Sequence, residues 1–76
     1  MRDAYIHTQP IQLYKLLKLE SMVASGGEAK MVIAEGLVEV NGEVETRKRK
    51  QIVDGDVIVF GEESIRVKLE QPEEPA

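Results

Sequence analysis

The stretch SGGEAKMVIAEGLVEVNG, Ser25 to Gly42, changes its hydrophobic period halfway along, and that change decides the fold. Ala29, Val32 and Ile33 recur at i, i+3 and i+4, the spacing of one buried helical stripe. Ser25 and Glu28 precede the stripe as Ser-x-x-Glu, a capping box in which the serine accepts from the third helical amide and the glutamate reaches back. Gly36 supplies the left-handed residue that ends many helices, so the spacing predicts a helix over about 26–35. Beyond it Val38 and Val40 point one way and Glu39 the other, and Asn41-Gly42 is the signature of a tight primed turn. One helix therefore runs directly into a β-hairpin that returns through Val44.

Working outward, PIQLYKLLKL opens on Pro10, suited to a first helical turn, and sets Leu13, Leu16 and Leu17 on one face. A first helix is predicted over about 10–19, with Lys15 and Lys18 on its polar face and Tyr14 flanking. Downstream of the hairpin come Ile52, the turn Asp54-Gly55-Asp56, an apolar strand Val57 to Phe60, and Ile65 to Leu69 in clean alternation. Two short N-terminal helices followed by several short strands make an α+β domain. Residues 1–9 read as a flexible N-terminal segment, 10–69 as the domain, and 70–76 as an acidic disordered tail rich in proline and glutamate.

Composition sets the limits. A chain of 76 residues that is 42% hydrophobic and 32% charged has room for one small core, burying about 60% of its unfolded surface. The absence of cysteine removes disulfides and thiolate-bound metals and fits a reducing cytoplasm. MRDAYIHTQP lacks the apolar centre of a signal peptide, and no apolar run approaches the ~18 residues of a membrane span, so a soluble cytoplasmic protein is expected.

The formal net charge is -4, yet it is unevenly spread. Residues 1–50 carry 8 Lys+Arg against 7 Asp+Glu, giving +1, and residues 51–76 carry 2 against 7, giving -5. Electrostatic recognition acts within a Debye length of about 8–10 Å, so distant carboxylates need not cancel a basic patch. The patch is TRKRK, where Arg47, Lys48, Arg49 and Lys50 are consecutive. Presented by a folded hairpin, the run suits a polyanion; as a solvated loop or edge strand, its cations would discourage sheet aggregation. If extended, Arg47 and Arg49 would project to one side and Lys48 and Lys50 to the other, with the arginines the favoured contacts.

A second constellation is SGGEAK. Gly26 and Gly27 open a helix although each costs nearly ~1 kcal/mol against alanine. Without β-carbons they would let a phosphate approach the free amides beside Ser25, and Lys30 lies one turn on from Gly26. The alternative is that they let the helix pack closely on its neighbour. Glu43 and Glu45 read as solvated, Asp54 and Asp56 as turn residues, and His7 has no companions for a metal site. No nucleophile dyad and no Walker-type loop are present, so neither catalysis nor a metal or other cofactor is expected.

The run LLKLESMVASGGEAKMVIAEGLVEVNGEVETRKRKQIVDGDVIVF, residues 16–60, resembles the RNA-binding domain of ribosomal small-subunit protein four, the alpha-L motif, in its stand-alone bacterial form. The shared pattern is a leucine helix, a serine-led second helix carrying Ala29 and Lys30, Gly36 before Val38 and Val40, Asn41-Gly42, and Gly55-Asp56 before an apolar strand; it covers about residues 11–69. The chain departs from the family at Gly26, where many members carry arginine. The resemblance implies two helices packed on a small, strongly bent antiparallel or mixed sheet. It also implies a grip on structured RNA through Ser25, Gly26, Gly27 and Lys30 at the second helix, and through Arg47, Lys48, Arg49 and Lys50 after the hairpin. Lys18 is a further candidate.

The expected function is that of a monomeric, non-catalytic RNA-binding module that reads backbone shape in ribosomal or ribosome-precursor RNA, with ribosomal-particle proteins as further partners. With three aromatic residues and no evident stacking platform, little base specificity is expected. The rival is an adaptor whose cationic strip docks an acidic partner protein.

Overall fold

The computed structural model describes residues 1–70. In chain order it contains β1 (Arg2–Ile6), β2 (Ile11–Gln12), α1 (Leu13–Leu19), α2 (Gly26–Ala34), β3 (Val38–Val40), β4 (Glu43–Val44), β5 (Gln51–Ile52), β6 (Val57–Phe60) and β7 (Glu63–Leu69). Five strands form one sheet in the order β1-β7-β6-β3-β4, and β2 and β5 form a separate two-stranded ribbon. Among the described residues only the β1–β7 pair is parallel, so the large sheet is mixed, and the two helices pack beside it in an α+β arrangement.

Each helix buries the stripe its spacing defines. Leu13, Leu16 and Leu17 of α1 meet Ala29, Val32 and Ile33 of α2 in one core with Val38, Val40, Ile52, Ile58, Ile65 and Val67. Full burial of each Leu or Ile side chain contributes about 1.5–3 kcal/mol, which is what holds a seven-residue helix too short to persist alone. The capping box forms with one change: Ser25 Oγ accepts from the Glu28 amide at 3.1 Å, while Glu28 Oε1 accepts from the amide of Ala24, one residue before the cap, at 2.6 Å. The far end of α2 closes as expected. Gly36 takes φ +77°, its amide donates to Ile33 O, and the Leu37 amide donates to Val32 O, the paired bonds of a Schellman ending.

The hairpin turn has φ 53° at Asn41 and 84° at Gly42, both positive as a type I′ turn requires. Asn41 also locks the turn to the next one. Its Nδ2 donates to Asp56 Oδ1 at 3.1 Å, and its Oδ1 accepts from the Val57 amide at 2.9 Å. Asp56 Oδ2 accepts from the Val53 amide, and Asp54 Oδ1 accepts from the Leu69 amide at 2.7 Å. The two aspartates are turn residues, as read, and they also tie three strands together.

Two expectations are corrected. Residues 1–9 are not a loose leader, because Arg2–Ile6 lies parallel to β7 in register Arg2↔Ile65 to Ile6↔Leu69 and buries Ala4 and Ile6 in the core. Arg2 additionally donates to the Glu20 carboxylate and carbonyl at the end of α1. The first helix begins at Leu13 rather than at Pro10, because Ile11 and Gln12 are drawn into a ladder with Ile52 and Gln51. The acidic tail expected over 70–76 lies, beyond Glu70, outside the described residues.

Candidate functional site

The basic run is not extended. After β4 the chain folds back, and the Lys50 amide donates to Arg47 O at 3.1 Å, closing a turn with Lys48 and Arg49 at its tip. Arginines and lysines therefore do not alternate between two sides. The returning backbone docks on the start of α1: the amide of Leu13 donates to Lys50 O at 2.9 Å and that of Tyr14 donates to Lys48 O at 3.1 Å. No side chain caps α1 at Gln12, so the carbonyls of the basic loop satisfy amides that would otherwise lack partners.

This docking sets the loop beside α1, and Tyr14 links it to α2. Tyr14 is half-buried against the core, and the Lys30 ammonium lies 5.0 Å from its ring centroid, within cation–π range. Lys15 lies 6.0 Å from the same ring. Tyr14, Lys15, Lys18, Leu19 and Gly26 together line one recess. The loop, the polar face of α1 and the glycine corner of α2 are thereby joined into one surface, with the basic turn itself enclosing a shallow concavity of about 700 Å³.

The charges on that surface are not equivalent. Arg47 is gripped by Glu45, its Nε donating to Oε2 at 2.9 Å, its Nη2 to Oε1 at 3.1 Å, and its backbone amide to Oε2 at 3.0 Å. The Arg47 side-chain hydrogen bonds hold the Glu45 carboxyl down from 4.5 to about 2, against the opposing effect of desolvation, and the charges of Arg47 and Lys50 add to the lowering. Glu45 correspondingly raises the Arg47 pKa, through hydrogen bonding first and charge second. The reading of Glu45 as solvated is thus corrected: its side chain is only 13% exposed, beneath an arginine that is 71% exposed. Among the described residues, Lys48, Arg49 and Lys50 have no carboxylate within ion-pair distance, so the uncompensated charge of the run lies there.

At the glycine corner, a β-carbon built on Gly26 would meet nothing within 4 Å, and one on Gly27 would meet only Ser25 Oγ at 3.9 Å. Close helix packing therefore does not account for the two glycines. Ser25 is occupied with its cap. Among the described residues no group of three His, Asp or Glu side chains converges as a metal site.

Tyr14 and Lys15 join the site residues expected from the sequence, and their spacing carries the signal. Residues 14, 15, 18 and 19 form the i, i+1, i+4, i+5 stripe opposite Leu13, Leu16 and Leu17.

Two helices beside a mixed sheet make the α+β fold shared with the alpha-L motif structure described below. The chain belongs to the S4 domain family, whose sequence pattern matches residues 4–68. It is 51% identical over 57 residues to YbcJ of Escherichia coli (strain K12), spanning 75% of this chain and 81% of that one. The solution structure of YbcJ, described as revealing an alfaL motif involved in RNA-binding, superposes with a TM-score of 0.67 at 44% identity, covering 88% of this chain and 85% of that one. A Bacillus subtilis (strain 168) protein named "Probable ribosome maturation protein RlbA" is 40% identical over 53 residues, 70% of this chain and 75% of its own.

Proposed function

We propose that this chain is a non-catalytic RNA-binding module of the bacterial cytoplasm that grips structured ribosomal or ribosome-precursor RNA through its phosphates. The observation that carries the reading is the docking of the Lys48 and Lys50 carbonyls on the first amides of α1. It holds three uncompensated cations beside Tyr14, and through Tyr14 beside Lys30. A fixed cluster of cations suits a ligand with regularly spaced negative charge, and the C-terminal third carries -5 while residues 1–50 carry +1. The helix-start backbone at Gly26 and Gly27, which lacks β-carbons, adds a place where a phosphate can approach closely, with Lys18 lining the same recess as Gly26. The likeness to YbcJ and RlbA supports RNA and the ribosome as the partner class.

Binding of a folded ribosomal RNA fragment should be measured across a salt series. Neutralisation of four to six phosphates gives a slope of log affinity against log salt of about -3 to -5, and reversing two cations in Lys48→Glu with Arg49→Glu should make it shallower by about 2. Undiminished affinity in that double variant would remove the loop from the interface and overturn the reading.

A further inference from the structure

Leu19 breaks the pattern of its helix. Leu13, Leu16 and Leu17 are fully buried, whereas Leu19, the last residue of α1, is 61% exposed. It forms one wall of the recess completed by Tyr14, Lys15, Lys18 and Gly26, a space of about 540 Å³. That volume lies within the ~300–1,000 Å³ of ordinary small-ligand sites. The recess combines an aromatic ring and an exposed leucine with two ammonium groups, and none of its lining residues is acidic. A ligand matching both parts has a flat apolar body and an attached anion, which describes a nucleotide. Within a duplex the base is stacked and paired, so only phosphates reach such a surface; an unpaired residue can swing its base out.

We infer that this recess receives one unpaired nucleotide of the bound RNA, its base laid against Tyr14 and Leu19 and its phosphate held by Lys15 and Lys18. The inference rests on the RNA-binding reading and sharpens it, because an aromatic platform replaces the absence of one expected from the count of aromatics. Gly26 lines the recess without a side chain, and a β-carbon there would meet nothing within 4 Å beyond its own helix and neighbours. The Lys30 ammonium lies over the Tyr14 ring, 5.0 Å from its centroid, so a base that stacks on that face displaces it toward the ligand's phosphate. The module then selects RNA with a bulge or open loop beside a helix, the helix meeting the basic loop and the freed nucleotide meeting the recess.

The test uses two RNA hairpins that differ by a single bulged 2-aminopurine nucleotide. The protein is expected to bind the bulged hairpin more tightly and to change the 2-aminopurine fluorescence as the base stacks. Tyr14→Leu, which keeps apolar packing against the core, should weaken the bulged complex about 5- to 150-fold and the paired complex by clearly less, so that the preference for the bulge is lost, and Tyr14→Phe should restore it. Leu19→Gln, a charge-neutral change at a position 61% exposed, should weaken the bulged complex more than the paired one. Equal affinity for the two hairpins with unaltered fluorescence would overturn the recess and leave the phosphate-gripping face standing. Failure to bind either hairpin in a salt-dependent manner would overturn that face as well.

Discussion

Glu45 holds Arg47 by two side-chain hydrogen bonds and one to its backbone amide, so the first cation of the basic run reaches solvent with its charge already matched. The pair fixes the exit from β4 and hence the start of the turn. Its contribution depends on pH with a definite sign. The folded carboxyl sits at about 2 and its ordinary value is 4.5, so the stabilisation is fully present above about 4.5 and is lost as pH falls toward 2. Glu45→Gln is therefore expected to be less stable than the parent at neutral pH, with the gap closing near the folded pKa. Urea unfolding at the two extremes measures this, and a gap that persists at the acidic end would show that the glutamate acts by packing instead.

The same pair bears on RNA. An arginine already matched by a carboxylate releases fewer counterions on meeting a phosphate than a free one. Removing the carboxylate in Glu45→Gln should free Arg47, raise affinity at low salt and steepen the salt dependence by up to about 0.9, the value of one phosphate. A weaker complex with an unchanged slope would instead make Glu45 the residue that aims Arg47.

Much of this was legible in the sequence because the relevant forces are local. The stripe Ala29, Val32, Ile33, the Ser25 cap and the Asn41-Gly42 turn act within a few residues, and each forms where the spacing places it. The misses are long-range. The turn at Arg47 to Lys50 is stabilised by amides of α1 more than thirty residues earlier, so no local pattern announces it. Tyr14 gains its place at the site only when α2 and the basic loop close over α1. Strand β1 pairs with a segment near the other end of the chain, and its short alternation, Ala4 and Ile6 in and Tyr5 out, is ambiguous until β7 is beside it.

That strand gives a direct test of the N-terminal correction. Ile6 is 2% exposed in the core and pairs with Leu69. Ile6→Ala is expected to cost ~2–5 kcal/mol, the range for emptying a buried aliphatic position. At ~0.05–0.15 kcal/mol per residue, a chain of 76 residues has about 4–11 kcal/mol in total, so this one change removes a large share of it. Chemical unfolding would report the loss; a change below about 0.5 kcal/mol, usual for surface positions, would mean that residues 1–9 are dispensable after all.

Gly26 separates the demands of folding from those of binding. It is the first residue of α2, where alanine is the better helix former by up to about 1 kcal/mol, and the added β-carbon would meet no atom of the protein. The fold alone thus favours alanine at this site. Gly26→Ala should raise stability by about 0.4–1 kcal/mol in urea unfolding. If phosphate approaches the helix-start amides, the same methyl group intrudes on the ligand, and the lost hydrogen bond to a charged group amounts to ~1.5–3 kcal/mol, or roughly tenfold or more in Kd. A variant that is more stable and binds RNA less well is the expected pair of results. A side-chain-only dock, including the grip of an acidic partner protein, would tolerate the methyl group, so a stabilised variant with undiminished RNA affinity would exclude close backbone approach at this corner.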